Sequence, residues 1–171
     1  MTFTQLAQAR YSVRAFSERP IAPEKLTAVL QAAQLAPTAK NLQPFHIYVV
    51  SSRAGMEKMR TLTRCHYNAP VVLIFTKDTR QEWHHPQVAD VTSGVEDVSI
   101  AATHVMLAAA EQGLGTCWLN LFVPQEVSRA YQLPAHEVPV LLMPIGYAAA
   151  DAAPAPFHTA RKTLKELVTY L

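Results

Sequence analysis

The sequence predicts an α+β domain with helices on both faces of a central sheet, a three-layer α/β/α-like arrangement, and three observations lead there. Helix-type and strand-type patterns alternate along the whole chain, with no repeat, low-complexity block or linker to divide it. The run "PVVLIFTKD" is apolar until its last residues, as in a strand buried on both faces. The segment "GVEDVSIAATHVMLAAAEQG" has a helical pattern and is apolar on nearly every side from Ile100 to Ala110, which places it at the centre of the protein. At 171 residues the chain suits a single domain, 1–171, long enough to bury a core of its own.

Taken in order, the first clear helix runs from Glu24, with Leu26, Val29, Leu30 and Ala33 on one face. Pro23 is tolerated in its first turn and Pro37 lies just past its end. "HIYVVSS" reads as a strand and "AGMEKMRTLTRC" as a short amphipathic helix. After the "PVVLIFTKD" strand, "DTRQEWHHPQVADVT" shows no period and reads as a loop or lid. Ser93 and Glu96 have capping-box spacing at the start of the central helix, and Gly113 is a natural stop. "GTCWL" is a short strand, "PQEVSRAYQ" a helix from Pro124, and "VPVLLMPIGY" another strand. The Ala- and Pro-rich tail from Ala148 gains little by folding alone and is expected to run as an arm over the molecule or onto a partner.

Composition narrows the function classes. A formal charge of +2 without a lysine-rich tract gives no footprint for nucleic acid or a membrane surface. Half the residues are hydrophobic and only 16% charged, a balance that favours covering part of the surface with a second subunit. Cys65 and Cys117 are isolated and read as thiols of a reducing compartment. "MTFTQLAQAR" lacks the basic and apolar regions of a secretory leader, so the cytoplasm is expected. His66, His84 and His85 have no ligand spacing, and no metal is expected. GxGxxG, Walker and GxSxG patterns are missing, which sets aside Rossmann enzymes, P-loop NTPases and standard hydrolases.

Three stretches carry candidate chemistry. In "ARYSVRAF", an extended chain would project Arg10, Ser12 and Arg14 to one side, suited either to a phosphate or to a solvated basic turn. In "QLAPTAKNLQPFHIYVV", Asn41 and Gln43 lie two apart, so an extended chain would aim both amides the same way. Such a pair either reads a ring edge that alternates acceptors with an N–H, or satisfies backbone groups at a helix-to-strand junction. In "GLGTCWLNLF", Gly113 serves as the helix cap, which leaves Gly115 and the residues after it for close backbone approach.

In order, these blocks resemble the nitroreductase-like flavoprotein family. The RRSxRxF opening is matched at Arg10, Ser12, Arg14 and Phe16, and APSxxNxQPW by "APTAKNLQPF", with Thr38 for Ser and Phe45 for Trp. Asp97 through "LAAAEQGLGTCW", then "LPAHEVPVLLMPIGY" and "ARKTLKEL", complete five blocks over nearly the whole chain. The short connection before the central helix is similar to that of the compact branch of the family.

The resemblance implies a mixed, mainly antiparallel sheet flanked by helices, a C-terminal arm reaching the partner, and FMN held between the subunits of a homodimer. Arg10, Ser12 and Arg14, with Arg161, would hold the ribityl phosphate. Pro37, Thr38, Asn41 and Gln43 would edge the ring, in part from the neighbouring subunit, and Trp118, Asn120 and Leu121 would pass its reactive nitrogen. The implied activity is transfer of reducing equivalents from NADH or NADPH to a flat electron-poor acceptor, a nitroaromatic or quinone, in a ping-pong scheme. It calls for no catalytic side chain. The Thr79–Thr92 loop, with Trp83, His84 and His85, is the candidate gate for the small-molecule acceptor. A flavin carrier or sensor, or specialised flavin chemistry such as reductive dehalogenation, is the alternative.

Overall fold

In the computed structural model, which describes every residue from Met1 to Leu171, the apolar runs become a four-stranded sheet. Its strands are β1 (Phe45–Val50), β2 (Val71–Asp78), β3 (Gly115–Thr116) and β4 (Glu137–Gly146), in spatial order β1-β2-β4-β3. Every ladder is antiparallel, and a single parallel bridge joins Ser12 to Thr116. The two most apolar runs, β2 and β4, take the centre, where both faces are covered.

Six helices complete the chain: α1 (Phe3–Ala9), α2 (Pro23–Gln34), α3 (Arg53–Leu62), α4 (Gly94–Glu111), α5 (Pro124–Tyr131) and α6 (Leu164–Leu167). Strand alternation sorts the core into two layers. Leu73, Phe75, Leu141, Met143 and Ile145 pack against Val29 and Ala33 of α2 and Val98, Ala102 and Val105 of α4. On the opposite face, Val72, Ile74 and Leu142 meet Met56 and Met59 of α3 and Val127 of α5. Each of these large side chains contributes about 1.5–3 kcal/mol on burial, so the sandwich is held chiefly by the two central strands.

The central helix behaves differently from its sequence pattern in two respects. Ser93 lies in helical backbone and makes no side-chain cap, so the expected capping box with Glu96 does not form. Its hydroxyl donates instead to Asp97, a stronger acceptor one turn on. The helix is also covered on one side only, with Val95 and Ile100 left exposed. Its C-terminus ends as expected: Gly113, at φ +74, closes a Schellman motif with Gly113 N–H on Ala110 and Leu114 N–H on Ala109.

Candidate functional site

The Arg10–Arg14 stretch is stitched to the β3 edge of the sheet. Val13 N–H donates to the Thr116 carbonyl at 2.9 Å, and Ala149 N–H to Ala15 at 3.0 Å. Val13 is buried, while Arg10, Ser12 and Arg14 lie on the accessible side, as the period-two reading expects. All three converge near the Cys117 thiol: burial pushes that thiol up, and Arg14, a hydrogen bond with Ser12, and Arg10 pull the other way. Arg14 also reaches the Tyr67 phenol, which burial and a hydrogen bond with Cys65 raise. Neither Arg10 nor Arg14 forms an ion pair. Two adjacent guanidinium groups without a carboxylate make a place where an anion is favoured.

Beyond β3 the chain stays beside β4 through Cys117 N–H on Pro144 and reciprocal bonds between Leu119 and Leu142. Alternation turns the N–H groups of Trp118 and Asn120 away from the sheet, and neither has a partner in the chain. The Trp118 indole donates to Asn120 Oδ1 at 2.7 Å, which fixes the ring over this segment. The Thr63 hydroxyl donates to the Leu121 carbonyl at 2.8 Å and ties the end of α3 to the same place. A cleft of about 490 Å³ opens there, lined by Leu62, Arg64, Asn120, Leu121 and Phe122.

The polar loop from Pro37 to Gln43 lies at the other edge of the sheet, just before β1. Three strand spacings, about 14 Å, separate β1 from β3. A single chain therefore does not bring Pro37, Thr38, Asn41 and Gln43 together with Arg10, Ser12 and Arg14. The loop is not extended either, contrary to the two-residue alternation expected for its amides. Ala39–Asn41 is a tight turn, and Lys40, Asn41 and Gln43 all have φ between 51° and 55°. Asn tolerates this left-handed region, but Lys and Gln each cost about 1 kcal/mol there. The amides still meet, because the turn carries Gln43 Nε2 to 3.4 Å from Asn41 Oδ1, while the same nitrogen donates to the Asn41 backbone carbonyl at 3.1 Å. Gln43 thus satisfies a backbone group, while the Asn41 side-chain NH2 has no partner in the chain.

A buried carboxylate braces this loop from behind. Asp97 is 2% exposed, and its Oδ1 accepts the Ala39 N–H at 2.9 Å. Its Oδ2 accepts the Ser93 hydroxyl at 2.6 Å. Ser93 is in turn the base of a hairpin-like excursion in which Ser93 N–H donates to Trp83 and His84 bridges to Thr92. The Thr79–Thr92 segment is thus an ordered loop with Trp83 and His85 packed edge to face at 5.6 Å. Sequence reasoning assigned Asp97 only to a family block; an acid four residues after a serine, opening an otherwise apolar helix, is the signal that could have found its role.

The hydrogen bonds of Arg161 stay within its own segment. The arm crosses the Arg10–Arg14 stretch through Tyr11, whose hydroxyl donates to Ala152 at 3.5 Å and whose ring meets His158 edge-on. Arg161 then bonds the carbonyls of His158 and Ala160 in its own segment. From Thr159 to Leu171 every residue is exposed, including Leu164, Leu167 and Tyr170. No group of three or more His, Cys, Asp or Glu side chains is arranged to hold a metal ion. His66 lies in a 3-10 turn apart from His84 and His85, with burial and then Arg60 lowering its pKa. No helix is long and apolar enough to cross a membrane.

A three-layer sandwich with a basic strip on one sheet edge and a strained polar loop on the other defines the class, and comparison with known proteins names it. The model of the Nitroreductase family matches residues 7–67 and 65–147, so the chain belongs to that family. A nitroreductase family protein from Clostridium difficile 630, solved by crystallography, is 32% identical and superposes with a TM-score of 0.91, covering 99% of this chain and 98% of that one. A protein of Methanothermobacter thermautotrophicus, provisionally named NADH dehydrogenase/NAD(P)H nitroreductase, is 28% identical over 161 residues, covering 87% of this chain and 78% of the relative. The NAD(P)H FMN reductase of Bacillus subtilis is 28% identical over 177 residues, covering 94% of this chain and 71% of the relative.

Proposed function

We propose that the chain is an FMN-dependent oxidoreductase that passes reducing equivalents from NADH or NADPH to a flat, electron-poor acceptor of the nitroaromatic or quinone class. The observation that carries this reading is a strip of donors along the β3 edge that no carboxylate neutralises. It runs from the unpaired guanidinium groups of Arg10 and Arg14 to the free N–H groups of Trp118 and Asn120. Cations at one end and neutral donors at the other fit a phosphate tail joined to a ring whose nitrogens and oxygens accept hydrogen bonds. The names of the M. thermautotrophicus and B. subtilis relatives, provisionally an NADH dehydrogenase/NAD(P)H nitroreductase and an NAD(P)H FMN reductase, support the same cofactor and donor.

In this reading Arg10, Ser12 and Arg14 hold the ribityl phosphate, joined by Arg161. Trp118, Asn120 and Leu121 line the ring. Pro37, Thr38, Asn41 and Gln43 come from a second copy of the chain, because their own strip lies across the sheet. A homodimer also gives the exposed apolar residues of α4 and of the arm something to cover them. Bound FMN would supply the redox chemistry, taking a hydride from NAD(P)H and returning the electrons to the acceptor. The protein's task is to bind, orient and exclude water, and donor and acceptor use one open ring face in turn, a ping-pong scheme without a catalytic side chain.

The visible spectrum of the purified protein is the first test, followed by NADH and NADPH oxidation with menadione or a nitrofuran. A yellow dimer giving parallel double-reciprocal lines is expected. A colourless monomer that takes up no added FMN would overturn the proposal, and a yellow protein without turnover would leave a carrier or sensor.

A further inference from the structure

We propose that Asp97 is a positioning residue for acceptor selection, a single buried carboxylate that locks the cofactor-facing loop and the acceptor-facing loop into one unit. The inference rests on the FMN reading above. An unbroken set of hydrogen bonds carries it. Ala39 N–H donates to Asp97 Oδ1 at 2.9 Å, the Ser93 hydroxyl donates to Asp97 Oδ2 at 2.6 Å, and Trp83 N–H donates to Ser93 Oγ at 3.2 Å. The backbone closes the same circuit, with Asp97 N–H on the Ser93 carbonyl at 2.8 Å and Ser93 N–H on Trp83 at 3.0 Å.

Two features separate this from ordinary support of a helix. Asp97 is buried without any cationic partner; one carboxylate oxygen goes directly to the Pro37–Gln43 loop, and the other goes to the buried Ser93 hydroxyl, which in turn accepts the Trp83 N–H of the second loop. A carboxylate buried in such a place needs its donors: lifting the Pro37–Gln43 loop strips one from Oδ1, and displacing Ser93, to which Trp83 is bonded, strips the other from Oδ2. What it holds includes strained backbone. Ala39 opens the turn whose Lys40, Asn41 and Gln43 lie in left-handed backbone, a conformation that persists only when its surroundings enforce it. Trp83 opens the excursion that ends at Ser93. Space between the two loops, and with it the acceptors that fit over the ring, is set by a side chain that touches neither cofactor nor acceptor.

The test compares holoenzymes of the wild type, Ser93→Ala, Ser93→Thr and Asp97→Asn. For each, kcat and KM are measured for a small quinone (p-benzoquinone) and a larger one (menadione), with the FMN Kd. Ser93→Ala frees only the acceptor-side loop, so FMN affinity should stay within about twofold while the ratio of the two kcat/KM values shifts about fivefold or more, through KM. Ser93→Thr restores the hydroxyl and should restore the ratio. Asp97→Asn loosens both loops and should shift the ratio and also weaken FMN about tenfold. If Asp97→Asn does not fold, the two Ser93 variants carry the comparison. A merely structural Asp97 would lower the melting temperature of these variants without moving the ratio, and that result overturns the inference alone. A wild type that binds no FMN overturns this inference together with the function it rests on.

Discussion

Gly115 and Val13 pack so closely that a β-carbon on the glycine would stand 2.4 Å from Val13 Cγ2. This contact lets the Arg10–Arg14 stretch lie flat against β3, with Val13 N–H on the Thr116 carbonyl. Gly115→Ala must push the stretch away, since the atoms it meets belong to a stiff β-branched side chain. The variant should lose about 1–3 kcal/mol of stability by urea unfolding. On the proposed phosphate site, it should also lose FMN affinity by flavin fluorescence titration. Unaltered affinity would detach the strip from the cofactor.

The Lys77–Glu82 pair should prove asymmetric. Its N–O distance is 3.0 Å, and the Glu82 side chain is only 4% exposed against 19% for Lys77. Lys77→Met strands a buried carboxylate and should cost about 3 kcal/mol in urea unfolding. Glu82→Gln leaves the more accessible ammonium, which can reach water, and should cost less. Equal losses would count against the burial argument.

Two phenols should titrate late. Burial raises Tyr131 to about 12. Tyr48 is raised to about 12 by burial first and then by its 2.7 Å hydrogen bond to Glu137. Because the folded protein holds these protons longer than the unfolded chain, their contribution is complete below pH about 10 and is lost as pH rises toward 12. Absorbance at about 295 nm, where tyrosinate absorbs, should show part of the tyrosine signal delayed until alkaline unfolding, and Tyr48→Phe should remove a share of that step.

Acid acts in the opposite sense at Asp78. Its hydrogen bond with Arg80, more than any other contact, holds the carboxyl well below the usual carboxylate range. The stabilisation is present above the ordinary Asp value and is lost as pH falls through the depressed one. Arg80→Ala should therefore move the acid-unfolding midpoint upward while leaving neutral-pH secondary structure intact by circular dichroism. An unchanged midpoint would show that Asp78 does not depend on Arg80.

On the two-subunit proposal, removing residues 161–171 should leave the sandwich folded, since every residue of that segment is exposed. It should shift sedimentation toward monomer and release FMN, because it removes Arg161 together with the apolar Leu164, Leu167 and Tyr170. A truncated chain that stays dimeric and yellow would exclude a role for the arm.

The sequence alone determined the layers and one half of the candidate site. Continuous apolar runs in β2 and β4 can be buried only at the centre of a sheet, Gly113 ends α4 because the Schellman turn needs a left-handed residue, and Arg10, Ser12 and Arg14 share a side by simple alternation. These are local consequences of periodicity and backbone sterics, legible without a partner. Only the tertiary structure decided the rest. Asn41 and Gln43 meet through left-handed backbone rather than an extended chain, the Ser93 hydroxyl goes to Asp97 rather than to a helix cap, and the polar loop and basic strip end on opposite sheet edges. Which of several possible hydrogen-bond partners wins, and which strand becomes an edge, is settled by the folded surroundings and not by residue spacing alone.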